Sequence, residues 1–245
     1  MPYSLLQVPP SRDSAVFLDI DGTLLNLAAT PGTVIVPPHL PKLLRRLAVR
    51  QGGALALVSG RALADIDLMF GPGLAVAAEH GAVLRDAAGR MLGTTLVNPA
   101  LASLIAPLRA AVAARPGTLL EEKRFGLAVH WRGAPGNAAS LTALVTSLAA
   151  PHPGLLLQPA HEALEIRVRG PGKAGALDIF MRDAPFAGRP PVFVGDDLTD
   201  EPAIARAQAL GGRGLHVARD FTGGPTAVIA WLQAGLTAEG NNGNA

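Results

Sequence analysis

The chain reads as an α/β protein, a doubly wound parallel-sheet (Rossmann-like) core interrupted by a smaller inserted α+β module. Three observations carry this reading. Short apolar runs at 15–19, 54–58 and 191–194 each end at a polar or acidic turn, as strands covered on both faces do. Leucines at 40, 43, 44 and 47 recur at helical spacing between the first two runs, so strands and helices alternate. The rhythm breaks near Asn98 and resumes at Lys173.

Taken in order, the first core segment predicts a strand at 15–19, a helix at 41–50 and a strand at 54–58 ending in Ser59-Gly60-Arg61. A helix at 62–70 and a strand at 73–78 follow, and right-handed crossovers place these strands side by side. The insert reads as a helix at 101–114, strands at 118–122 and 126–132 flanking a turn at Lys123, a helix at 138–149, and strands at 155–158 and 163–168. The two Ala/Leu helices read as packing faces. The α/β pattern then returns with a helix at 173–181, the strand at 191–194, an acidic loop, a further helix, a strand at 215–218 and a last helix near 227–232. The domain expectation is therefore a core made of 1–98 and 172–245, with the insert at 99–171.

Composition narrows the function classes. Of 245 residues, 49% are hydrophobic and 16% charged, and mean hydropathy is +0.31, which excludes a disordered chain. Lys plus Arg number 21 against 19 Asp plus Glu, a formal net charge of +2 that is too small to argue for nucleic acid. With no cysteine, disulfides, thiolate metal sites and cysteine nucleophiles are excluded. No run approaches the roughly 20 apolar residues of a membrane span, and the N-terminus lacks the pattern of a signal peptide. No membrane partner, a cytoplasmic location and a monomer are expected. Only three basic residues are lysines, Lys42, Lys123 and Lys173, which makes each worth locating.

The chemistry concentrates at strand ends. Asp19-Ile-Asp21-Gly22-Thr23 places two carboxylates beyond the first strand, and Gly195-Asp196-Asp197-Leu198-Thr199-Asp200-Glu201 places four acids beyond a later one. Unpaired carboxylates at such density repel one another, and a hard divalent cation with oxygen ligands relieves them. Open α/β sheets put their ligands at these carboxyl ends. Between the two clusters, Ser59-Gly60 offers a hydroxyl and backbone N–H groups, and Lys173 offers an ammonium, each at a helix start suited to phosphate.

This ordered quartet, Asp19-x-Asp21-Gly-Thr, Ser59, Lys173 and Gly195-Asp196-Asp197-x-x-Asp200, resembles the haloacid dehalogenase-like phosphohydrolases. The resemblance implies Asp19 as nucleophile and Asp21 as general acid and base. It also implies Mg²⁺ held by Asp19, Asp21 and Asp196 with Asp197 or Asp200 in support, and phosphate held by Ser59, Gly60 and Lys173. The insert lies where one class of that superfamily carries an α/β cap that selects substrate. Within it the chain resembles the trehalose-6-phosphate phosphatase family, through Glu79-His80-Gly81, Leu120-Glu121-Glu122-Lys123, His130-Trp131-Arg132 and Glu165-Ile166-Arg167. His130-Trp131-Arg132 stands where that family usually has His-Tyr-Arg, and Glu165-Ile166-Arg167-Val168 where it has Glu-Ile-Lys-Pro. The resemblance implies a small-molecule sugar phosphate as partner, contacted by Glu79, His80, Glu122, Lys123, His130, Arg132 and Glu165; hydroxyl-rich sugars are selected by such hydrogen-bonding groups. Alternatives are a phosphatase or mutase acting on sucrose phosphate, mannosyl phosphoglycerate or a hexose phosphate, and a non-catalytic phospho-acceptor module.

Overall fold

The computed structural model describes residues 8–27, 34–94, 99–123, 126–160, 162–168 and 171–237. The chain divides into two compact units, Met1–Gly93 with Pro171–Ala245, and Thr94–Gly170.

The first unit is a seven-stranded sheet in the order β11-β10-β1-β2-β3-β4-β5. β1 (Ala15–Leu18), β2 (Leu55–Val58), β3 (Ala75–Ala78), β10 (Pro191–Gly195) and β11 (Arg213–His216) are parallel to one another, and β4 (Val83–Arg85) runs antiparallel to β3. β1, β2 and β3 are buried at every position, which is why they read as unbroken apolar runs rather than alternating ones. One face packs on α5 (Gly172–Phe180) and α6 (Glu201–Ala209) through Phe17, Ala56, Phe193, Leu177 and Ile204. α2 (Leu63–Phe70) packs on β3, and α1 (Leu40–Arg50) packs on α2 and α8 (Pro225–Thr237). α1 buries Leu40, Leu43, Leu44 and Leu47, the residues whose spacing predicted it.

Three rings tie β1 to α5. Phe17 lies 6.2 Å from Phe180 and 5.4 Å from Phe186, and Phe180 lies 5.0 Å from Phe186, all buried. Phe17 precedes Asp19 by two residues, so this cluster holds the strand and the helix that carry Asp19 and Lys173.

Two readings differ. The sheet edge, β4 and β5 (Met91–Thr94), lies outside the expected strands, since Val83-Leu84-Arg85 and Met91-Leu92-Gly93-Thr94 lack a continuous apolar run. The strand expected at 215–218 is instead β11 at Arg213–His216, and Val217–Asp220 forms the one-turn helix α7. The His216 ring accepts from the Ala218 N–H and Asp220 accepts from the His216 N–H, so side-chain acceptors at both ends of that turn outcompete strand extension.

The second unit is a four-stranded antiparallel sheet, β6-β7-β9-β8, formed by β6 (Leu119–Lys123), β7 (Gly126–His130), β8 (Leu155–Ala160) and β9 (Ala163–Val168). Its core joins Leu127, Val129, Leu164 and Ile166 to Leu104 and Leu108 of α3 (Pro99–Ala113) and Leu141 and Val145 of α4 (Ala138–Ala149).

Candidate active site

Four neighbouring strands of the parallel sheet deliver the motif residues to one end. β1 and β10 pair in register, Phe17 with Phe193 and Leu18 with Val194, and the Asp19 N–H continues the ladder to the Val194 carbonyl at 2.9 Å. Asp19 and the Gly195-Asp196-Asp197 loop are therefore neighbours because their strands are. Ser59 leaves β2 and Glu79-His80-Gly81 leaves β3 at the same end. A cavity of about 520 Å³ opens there, lined by Asp19, Asp21, Ser59, Gly60, Arg61, His80, Lys173 and Asp197 among others.

Lys173, the second residue of α5, reaches between two acids. Its Nζ donates to Asp19 Oδ1 at 2.8 Å and to Asp200 Oδ1 at 2.6 Å, and all three side chains are at most 5% exposed. Burial pulls the ammonium down, but attraction to Asp19 and Asp200 outweighs it, so Lys173 is raised above the usual lysine range. Asp19 is pushed up to about 8, foremost by burial, against the attraction of Lys173 and with the repulsion of Asp200 and Asp196. Asp200 is pushed up to about 6, again by burial first. Asp196 is raised by burial and then by Asp197.

Asp200 is locked in place. Its second oxygen accepts from the N–H groups of Asp196 at 3.1 Å and Asp197 at 3.3 Å. A Cβ on Gly195 would stand 2.3 Å from its Cγ, so only glycine fits there. Likewise a Cβ on Gly22, which holds φ 77°, would stand 1.8 Å from Asp196 Oδ2. These glycines let two carboxylates approach the backbone of the neighbouring loop.

Among the described residues, Asp19, Asp196 and Asp200 form the acidic group that fits a cation, each offering an oxygen within 4.8 Å of the others. Among the described residues, the carboxylates of Asp19, Asp21, Asp196, Asp197 and Asp200 outnumber the cations set against them, Lys173 and Arg61. That surplus suits a hard divalent ion with an all-oxygen donor set. Asp197 stands outside the group, since its Oδ1 accepts from the Thr199 N–H at 2.8 Å and the Thr199 hydroxyl at 2.7 Å. Burial raises the Asp197 carboxyl, but its hydrogen bonds prevail and hold it below the usual range. The Asp21 carboxylate also points elsewhere. Arg61 Nε donates to its Oδ2 at 2.7 Å and Nη2 to its Oδ1 at 2.6 Å.

Arg61 is a site residue whose side chain the sequence does not single out, since motif spacing marks Ser59 and Gly60 but nothing distinguishes this arginine from the other seventeen. Glu79 and His80 adopt left-handed φ of 50° and 55°, followed by Gly81 at 85°. The His80 ring covers Gly60, where a Cβ would stand 2.5 Å from Nε2.

In the second unit, register separates two adjacent acids. Glu121 aligns with Ala128, Glu165 and Gln158 across the sheet, on the face away from the helices. Glu122 aligns with Leu127 and Ile166, on the face of the core, and pairs with Arg109 of α3. Strand alternation thus puts Glu121 on the face away from the helices and the expected Glu122 on the other. The i, i+2 spacing with Lys123 was the available signal. Lys123 ends β6 opposite Gly126, and its side chain lies outside the described residues. His130 Nε2 is 2.9 Å from Glu121 Oε2. Arg132 does not share a strand face with His130, because β7 stops at His130; Arg132 sits in the following turn and donates to Glu162 at 2.9 Å.

The trehalose-phosphatase family model matches residues 17–224. The "Trehalose-6-phosphate phosphatase" of Escherichia coli K12 is 36% identical over 235 residues, covering 93% of this chain and 88% of that protein. A "Probable trehalose-phosphate phosphatase" of Sinorhizobium fredii is 40% identical over 205 residues, covering 83% and 77%. In fold, the chain is similar to the Aspergillus fumigatus trehalose-6-phosphate phosphatase structure, with TM-score 0.65, 20% identity and coverage of 93% and 94%. It is also similar to a haloacid dehalogenase-like hydrolase from B. subtilis, with TM-score 0.56, 16% identity and coverage of 89% and 98%. With motifs, sheet order and family match in agreement, the chain belongs to the trehalose-phosphatase family, phosphatases on a haloacid dehalogenase-like α/β fold.

Proposed function

We propose that this chain hydrolyses trehalose 6-phosphate to trehalose and phosphate, with Asp19 as nucleophile and Mg²⁺ as cofactor. The carrying observation is the buried Asp19–Lys173–Asp200 group opening on a cavity beside Asp196 and Asp21. Asp19 attacks phosphorus, giving an aspartyl-phosphate, while Asp21 gives a proton to the departing sugar oxygen. Asp21 then takes a proton from the water that releases phosphate. Lys173, Ser59 and the Gly60 backbone hold phosphoryl oxygens, and Lys173 keeps Asp19 oriented. Asp19, Asp196 and the Asp21 carbonyl would hold Mg²⁺, with Asp200 fixing the loop that carries Asp196. Bound there, the ion would neutralise charge between an anionic nucleophile and an anionic substrate.

The second unit supplies sugar selection. Its open sheet face carries Glu121, Glu165 and His130, with Lys123 at the strand end. We assign Glu121 the place first given to Glu122, and leave Arg132 at the margin of that face. His80 borders the phosphate pocket, and Glu79 precedes it in the same left-handed turn.

The test is phosphate release with Mg²⁺, with chelator and in Asp19→Asn, together with acid-quenched turnover searched for phosphorylated Asp19. Activity lost in both controls and a phosphoryl group on Asp19 are expected. Retention of most activity in Asp19→Asn would overturn the mechanism.

A further inference from the structure

Asp21 does not project alone from the pocket wall. The Arg61 guanidinium grips both its oxygens, and the two side chains are only 10% and 31% exposed. Exposed ion pairs leave both partners free to rotate and contribute little. A forked guanidinium–carboxylate pair differs in kind, since two parallel hydrogen bonds fix the plane of the carboxylate.

Arg61 is itself held by its backbone. Its N–H donates to Ser59 Oγ at 3.2 Å, and its carbonyl accepts from the Glu79 N–H at 2.9 Å. The Ser59 carbonyl accepts from the His80 N–H at 2.9 Å. Those two donors belong to the residues with φ of 50° and 55°. For L-residues this conformation is strained and persists only where the surroundings over-determine it. Here the strained turn turns two consecutive N–H groups onto the Ser59–Arg61 segment, while the His80 ring closes over Gly60.

We propose that Arg61 is the positioning residue for Asp21, with the strained Glu79-His80-Gly81 turn holding Arg61 in place. The proposal rests on the reading of Asp21 as acid and base. The fork sets one carboxyl oxygen where the departing sugar oxygen, and afterwards the attacking water, meets it. In the first step the Asp19–phosphorus bond forms, the phosphorus–sugar oxygen bond breaks, and a proton passes from Asp21 to the sugar oxygen. In the second, the water–phosphorus bond forms, the Asp19–phosphorus bond breaks, and the proton lost by water returns to Asp21. p-Nitrophenyl phosphate separates these duties, because nitrophenolate departs without a proton, so its release needs Asp19 and not Asp21.

The experiment compares Arg61→Lys, Arg61→Gln, Asp21→Asn and the double variant Asp21→Asn/Arg61→Gln. Each is measured for turnover of trehalose 6-phosphate and for the pre-steady-state burst of nitrophenolate, with thermal melting to check folding. Arg61→Lys keeps the charge and loses the fork. It should lower kcat on the sugar phosphate about 10- to 100-fold, the scale of a misplaced catalytic group, with KM within about threefold. Its nitrophenolate burst should stay within about threefold of the parent's, and Arg61→Gln should cost less than about threefold once Asp21 is Asn. If Arg61→Gln does not fold, Arg61→Lys carries the comparison. A raised KM with kcat kept would make Arg61 a substrate contact and overturn the proposal. So would equal slowing of both substrates, additive losses in the double variant, or parental turnover in Arg61→Lys. Undiminished sugar-phosphate turnover in Asp21→Asn would instead remove the acid/base reading itself, whatever Arg61 does.

Discussion

Lys173→Met is the perturbation whose cost the structure specifies best. The ammonium is the only cation hydrogen-bonded to Asp19 and Asp200 among the described residues, and those acids are 3% and 0% exposed. Methionine fills the same space without the charge, leaving two buried carboxylates uncompensated. Removing one partner of a buried pair costs about 3–5 kcal/mol. In a domain of this size that lowers the melting temperature by roughly 6–20 °C. The pH dependence follows from linkage. Asp19 and Asp200 already have raised folded-state pKa values, about 8 and about 6, so the folded state holds protons the unfolded chain has released. Their influence on stability is therefore unfavourable above the ordinary carboxylate range, and grows as pH rises toward those values. Without Lys173 both rise further, so the deficit of Lys173→Met should widen from pH 5.5 to pH 8. Thermal melts in chelator at both pH values measure this. A melting temperature equal to the parent's at pH 8, or a deficit larger at pH 5.5, would refute the reasoning.

Three further outcomes follow from the same geometry. Mg²⁺ should raise the melting temperature more at pH 8 than at pH 6, since binding must displace protons from Asp19 and Asp196, both raised by burial; the reverse order in melts with and without the ion would contradict it. Gly22→Ala should weaken Mg²⁺ at least about tenfold in the metal dependence of phosphate release, because the new methyl would occupy the position of Asp196 Oδ2; an unchanged midpoint would show that Asp196 is not a ligand. Glu121→Gln should raise KM for the sugar phosphate about 10-fold or more, while Glu122→Gln stays within about twofold. Equal effects in steady-state kinetics would break the face assignment.

Much of this was legible in the residues. Buried parallel strands announce themselves as unbroken apolar runs, so β1, β2 and β10 and the acids beyond them were readable, as was the amphipathic α1. The edge strands β4 and β5 were not, since Val83-Leu84-Arg85 and Met91-Leu92-Gly93-Thr94 make no such run. The pairing of acids and bases was also hidden: Asp21 with Arg61 spans forty residues of sequence and depends on a left-handed turn that no spacing encodes. Glu121 and Glu122 are adjacent and chemically identical, and only the pleat of β6 tells them apart. Arg132 fell off its predicted strand because β7 ends two residues earlier than its apolar pattern suggests.

Phosphate release from trehalose 6-phosphate in the presence of Mg²⁺, set beside sucrose 6-phosphate and glucose 6-phosphate, tests the central claim most directly. The account predicts that kcat/KM for trehalose 6-phosphate exceeds the others at least about 100-fold, as expected of a site that reads hydroxyls by hydrogen bonds. Faster release from sucrose 6-phosphate, or equal rates on all three, would contradict it.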